Sequence, residues 1–189
     1  MDAARVEALG NETRLRRRDV VIGIAAGALV LAVVAIFGLR MGATASKGPT
    51  ALQVGSPAPE FSLPMAGGET LTLADLKGRP TWINFWATWC PPCRTEMPDL
   101  QEAYAASPPG RYNLLAIDMG EDAASVQRYL NEVGYTLPVA LDETGDVSLR
   151  YRVLGLPTHF FIDKDGVIKE IYVGALKPEE IRQRVAALW

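Results

Sequence analysis

The chain has 189 residues, 49% of them hydrophobic and 22% charged, which is enough for one packed domain with an appendage and short for two. Its 19 Lys and Arg against 22 Asp and Glu give a formal charge of −3 with no basic face, which argues against binding to a nucleic-acid backbone. Only two cysteines occur, Cys90 and Cys93, so this is no disulfide-stapled scaffold, and the close pair is expected to do chemistry.

From Val20 to Leu39 run twenty residues without a charge or a strongly polar side chain. At about 1.5 Å per residue a helix of that length spans a hydrocarbon core of roughly 30 Å, so 20–39 is expected to be a transmembrane anchor. Arg14, Arg16, Arg17 and Arg18 precede it and only Arg40 and Lys47 follow closely, which keeps residues 1–19 in the cytoplasm and exports the rest. The rival, a cleaved signal peptide ending near Ala43-Thr44-Ala45, calls for a shorter apolar stretch. Residues 40–55, rich in small residues and without periodicity, read as a flexible linker, leaving a folded domain over 56–189.

Within that domain apolar runs alternate with amphipathic ones, the pattern of an α/β layer structure. Phe61–Leu63 and Thr70–Leu73 are expected to form a hairpin through Gly67-Gly68. Thr81–Trp86 reads as a buried strand. A helix follows from the cysteines to Ala106, with Pro91 and Pro92 in its first turn and Pro108-Pro109-Gly110 stopping it. Asn113–Ile117 is the next strand, and Asp122 caps a helix to about Val133. Val139–Leu141 is strand-like and Val147–Tyr151 a helical turn. Thr158–Ile162 and Val167–Val173 form an antiparallel hairpin across Asp163-Lys164-Asp165-Gly166, and Pro178 opens a last helix to Leu188.

A strand that delivers Cys90 to a helix N-terminus sets its sulfur among unsatisfied backbone donors and the positive end of the dipole, which favours the thiolate. Since Pro91 and Pro92 lack an N–H, the first donors beyond Cys90 belong to Cys93 and Arg94, and both are expected to point at its sulfur. Cys90 is then the nucleophile, and Cys93, one turn on, is spaced to resolve the mixed disulfide. Two thiols cannot close a zinc site, and the one histidine, His159, leaves at most three ligands.

The stretch Trp82–Leu100, WINFWATWCPPCRTEMPDL, resembles the active site of the TlpA/ResA-like extracytoplasmic thioredoxins. The likeness extends to Val54–Phe61 and to Gly155–Asp163, and so covers roughly 54–189. It implies a thioredoxin fold, a central mixed β-sheet flanked by helices with an N-terminal β-hairpin extension. It also implies a cis Pro157 facing the cysteines, with the Leu156 backbone left to pair with a substrate chain and Trp89 presenting the sulfurs. Ordinary thioredoxins carry a buried aspartate six residues before the first cysteine, where this chain has Asn84, which cannot accept the proton of Cys93. Glu96, three residues past Cys93, is the expected substitute, since members of the ResA type carry a functional glutamate there. Trp86 reads as core, and His159 as a packing or surface residue.

The resemblance further implies a reductase of disulfides in exported proteins such as apocytochrome c, re-reduced by a transmembrane thiol carrier of CcdA/DsbD type. No cofactor is expected beyond the redox-active pair itself. The alternative is an extracytoplasmic copper-binding or delivery module on Cys90 and Cys93, with His159 as a further ligand. A peroxidase is discounted, because Thr88 lies two residues before Cys90 where peroxiredoxins place a threonine three before.

Overall fold

In the computed structural model, which describes residues 52–187, the chain enters through a small antiparallel hairpin of β1 (Ser62–Pro64) and β2 (Thr70–Thr72). Gly68, at φ +93°, turns it in a conformation that suits glycine. Leu73, expected to end the second strand, instead opens a 3-10 turn over Leu73–Leu76. The cause is a capping box: Asp75 accepts the Thr72 N–H at 2.8 Å while Thr72 Oγ1 accepts the Asp75 N–H at 3.4 Å. The anchor 20–39, the segment 1–19 and the linker up to residue 51 lie outside the described residues, as does Leu188. Among the described residues no helix is long and apolar enough to cross a membrane. The folded part begins slightly before Ser56, because the Gly55 N–H already donates to the Ile168 carbonyl at 2.8 Å.

Five further strands make one mixed sheet: β3 (Thr81–Trp86), β4 (Asn113–Met119), β5 (Val139–Asp142), β6 (Thr158–Ile162) and β7 (Ile168–Val173), in the order β5-β4-β3-β6-β7. β4 runs parallel to both β3 and β5, whereas β6 is antiparallel to β3 and β7. Every residue of the central strand β3 is buried, as expected of a strand covered on both faces. Met65 and Ala66 attach the N-terminal hairpin to β5, through a bridge to Ala140 and a 2.8 Å bond to the Val139 carbonyl. Three helices connect the strands, α1 (Pro91–Ala106), α2 (Ala123–Val133) and α3 (Asp146–Arg150), and α4 (Pro178–Ala187) follows the last strand. β4 and β5 each run further than expected, and α3 starts one residue earlier. The buried Asp142 carboxylate fixes that start by accepting the Val147 and Ser148 N–H groups at 3.1 and 2.7 Å.

Strand alternation sorts the interior into two cores. Trp82 and Trp86 of β3 join Phe161 of β6 and Met97 and Leu100 of α1 on one face of the sheet. Ile83 and Phe85 join Phe160, Ile162 and Tyr151 on the other. The same alternation puts Asn84 on the side of Trp82, and the register Asn84↔His159 sets the histidine beside it. Two polar side chains of the sheet thus look toward the helix that carries the cysteines.

Candidate active site

Cys90 caps α1. Its N–H donates to the Ala87 carbonyl at 3.2 Å, which closes the turn from β3, and its sulfur accepts the Cys93 N–H at 3.3 Å. The expectation for Arg94 needs correcting. Its N–H goes to the Cys90 carbonyl at 3.1 Å, because at i+4 it makes the first regular bond of the helix and is no longer available to sulfur. Cys90 and Cys93 are joined in a disulfide with Cα atoms 5.3 Å apart, and both are almost fully buried. Trp89, next to them, is 62% exposed, whereas Trp86 is wholly buried in the core.

Leu156-Pro157 is a cis peptide at the entry to β6. Leu156 packs against the cluster that contains both cysteines, and its backbone stays outside the β3–β6 register, which ends at Thr158. The structure therefore brings Leu156, Trp89 and the disulfide to one end of the sheet.

Glu96 lies one turn past Cys93 with a side chain only 1% exposed, so it is no solvated helix residue. Its Oε1 is 3.3 Å from Nε2 of His159, which is itself fully buried. The Nε2–H is aimed at the Gly174 carbonyl at 3.1 Å, so Glu96 sits beside the donor without an aligned bond, and neither of its oxygens has a hydrogen-bond partner. On the other side of the ring Nδ1 receives the Trp82 Nε1–H at 3.2 Å, with Asn84 Nδ2 also at 3.2 Å. His159 is buried, as a packing residue should be, but it also contacts Glu96, and reading the sequence missed that contact. Both of its ring nitrogens are engaged by protein groups, so it offers no lone pair as the further ligand of the copper alternative.

A second acidic group was also missed. Asp118, fully buried at the end of β4, accepts the Glu121 N–H at 3.2 Å through Oδ1, while Oδ2 has no partner. Glu121 in turn accepts the Thr88 N–H at 2.6 Å and the Thr88 Oγ–H at 2.5 Å, and so grips the loop two residues before Cys90. An acid closing the apolar run Leu114–Ile117 at the carboxyl end of a parallel strand is the signal that points here. Burial, and then the adjoining Glu121 carboxyl, push the Asp118 carboxyl up to about 8. The folded state therefore holds this proton more tightly than the unfolded chain. Its stabilisation is complete below the unfolded value near 4 and is lost as the pH rises through about 8. Asp118→Asn is expected to flatten the stability profile between those limits and to gain on the parent toward the alkaline end. Urea midpoints at pH 5 and pH 8.5 check this, and parallel profiles would contradict it.

The AhpC/TSA family profile matches residues 54–171. The chain is 35% identical over 161 residues to the thiol-disulfide oxidoreductase ResA of Geobacillus kaustophilus, covering 85% of this chain and 92% of that one. It is 35% identical over 166 residues to the thioredoxin-like protein YneN of Bacillus subtilis, covering 85% and 95%. Among solved structures, a putative thiol:disulfide interchange protein DsbE from Chlorobium tepidum superposes with a TM-score of 0.68 at 30% identity, over 73% of this chain and 99% of that one. StoA from Bacillus subtilis does so with 0.60 at 26%, over 67% and 96%.

Proposed function

The chain belongs to the AhpC/TSA family and is a thiol–disulfide oxidoreductase, and from that premise we propose that it is a reductase of disulfides in exported proteins, held at the membrane by residues 20–39. The observation that carries the mechanism is a sulfur capping a helix with, one and two turns on, a second sulfur and a buried carboxyl that has no aligned donor. In the reduced protein the Cys90 thiolate attacks a substrate disulfide, forming a mixed disulfide and releasing one substrate thiolate. Cys93 gives its proton to Glu96 and attacks the Cys90 sulfur. The second substrate thiolate leaves with that proton, and the Cys90–Cys93 disulfide is restored. Two electrons pass to the substrate, and no cofactor takes part.

Leu156 and Pro157, with the exposed Trp89, form the proposed seat for the substrate chain: an apolar rim, and at Leu156 a backbone left out of the sheet, while the Pro157 carbonyl accepts the Gly174 N–H at 2.9 Å. Trp89→Ala is expected to raise KM for a peptide disulfide about tenfold while leaving the melting temperature unchanged, because the ring is mostly in solvent. A matching fall in thermal stability would instead make Trp89 a packing residue. For the substrate we propose apocytochrome c, whose cysteines must be reduced before haem attachment, and for the electron donor a transmembrane thiol carrier of CcdA/DsbD type. Both rest on the resemblance to the TlpA/ResA-like group.

Direction of transfer is tested by mixing the pre-reduced full chain with a disulfide-bonded CxxCH peptide and counting thiols. The reductase reading expects two peptide thiols to appear for each chain oxidised. Peptide disulfide formed by the oxidised chain, with no reduction by the reduced one, would reverse the assignment.

A further inference from the structure

His159 is the one histidine of the chain, and its ring is fixed from every side. It lies wholly buried among Trp82, Phe161 and Tyr172, at ring-centroid separations of 5.8, 6.4 and 6.0 Å. Trp82, which meets Nδ1 at 3.2 Å, is fully buried and stacked on Phe161 at 5.1 Å. An indole N–H donates and cannot accept, so Nδ1 must present its lone pair to Trp82 and cannot carry a hydrogen. Asn84, with its Nδ2 at the same 3.2 Å, adds a second donor to that lone pair. The ring proton therefore sits on Nε2, the atom that faces both the Gly174 carbonyl and Glu96 Oε1.

Glu96 has no hydrogen-bond partner on either oxygen, and the Nε2–H group, its nitrogen 3.3 Å from Oε1, is a donor within reach when this carboxyl is charged. A buried carboxylate without a donor is costly, and a bond to a charged group is worth roughly twice one between neutral partners. We propose that His159, locked as the Nε2–H tautomer by Trp82 and Asn84, is the positioning residue that holds Glu96 during resolution. In the oxidised protein its N–H rests on the Gly174 carbonyl. In the reduced protein the N–H turns onto Oε1 and holds the carboxylate in place to accept the Cys93 proton. It returns to the Gly174 carbonyl as that proton is taken up, and Glu96 then passes the proton to the departing substrate thiolate. The histidine neither gains nor loses a proton and serves as a fixed donor, not a relay. A chain with Asn where thioredoxins have Asp thus supports its replacement acid from the neighbouring strand. The inference rests on the proposed role of Glu96.

The test uses the full chain, 15N-labelled at its single histidine. The nitrogen spectrum is expected to show a pyridine-type Nδ1 and a protonated Nε2 in both the oxidised and the reduced protein. A protonated Nδ1 in either state would overturn the proposal. In parallel, decay of a preformed mixed disulfide on Cys90 reads the resolving step. His159→Phe, which keeps the ring volume and loses the donor, is expected to slow it roughly 10- to 100-fold, the worth of a bond to a charged group. His159→Gln, which can offer an N–H at the same place, is expected to recover most of that rate. The double variant with Glu96→Gln should be no slower than Glu96→Gln alone. Equal rates for His159→Phe and the parent, with Glu96→Gln slow, would overturn the histidine's role and leave that of Glu96 standing. An unaltered rate in Glu96→Gln would overturn the role of Glu96 and this inference together.

Discussion

Cys90→Ala is expected to bring reduction of a peptide disulfide down to background, a fall on the order of 10³-fold or more, since the one cysteine left, Cys93, lacks the helix-capping position that favours the thiolate. Cys93→Ala is expected to behave differently, forming the mixed disulfide at nearly the parental rate and then stalling. The asymmetry follows from position. Both are almost fully buried, but Cys90 is the cap of α1 and its sulfur takes the Cys93 N–H, whereas Cys93 lies within the helix, past its cap. Loss of stability cannot mimic this result. The disulfide closes a loop with a sequence separation of 3, for which chain entropy predicts a contribution of only about 2 kcal/mol to the oxidised form. Quenched alkylation and mass spectrometry separate the two variants. A Cys90→Ala protein that still accumulated mixed disulfides through Cys93 would invert the division of labour.

Glu96→Gln is expected to slow the resolving step about 10²-fold at neutral pH, within the range of general acid–base catalysis. Because the change is isosteric and removes a buried carboxyl that lacks an aligned donor, the fold should be unharmed or slightly more stable. The two readouts therefore move independently. A stopped-flow trace of mixed-disulfide decay together with a urea midpoint decides the matter. An unchanged rate would remove Glu96 from the chemistry, and a parallel loss of both would make it a structural residue.

Local features were legible in the sequence where one residue type forces one geometry. The apolar residues flanking Asn84 marked a buried strand, and the Cys-Pro-Pro-Cys punctuation set the start of α1. Asp122 and Gly134 bracket α2 by chemistry visible in the letters, a carboxylate for the Ser125 N–H at 2.9 Å and a left-handed φ of +74°. The capping box at Thr72 and Asp75 was equally visible in its spacing, but the strand pattern around it hid it.

What the sequence could not show depends on pairing across the sheet. Glu96 and His159 are 63 positions apart, and they meet because β6 lies antiparallel to β3 and strand alternation turns His159 toward α1. Thr88 and Glu121 meet because β3 and β4 are parallel and both end at the same edge. A lone histidine carries no signal of its neighbours until that register is known. The Arg94 N–H is a smaller case: counting prolines made it a free donor, and the helix's own i to i+4 bond had already claimed it.

The central claim is that Cys90 attacks the disulfides of exported proteins and Cys93 releases them. It is tested most directly by expressing the full chain as Cys93→Ala in its own cell, quenching with acid and identifying what is bound through Cys90. Covalent adducts of exported proteins that contain paired cysteines, apocytochrome c among them, are expected, all of them released by dithiothreitol. Adducts with cytoplasmic proteins alone, or none while the parental chain still turns over substrate, would contradict it.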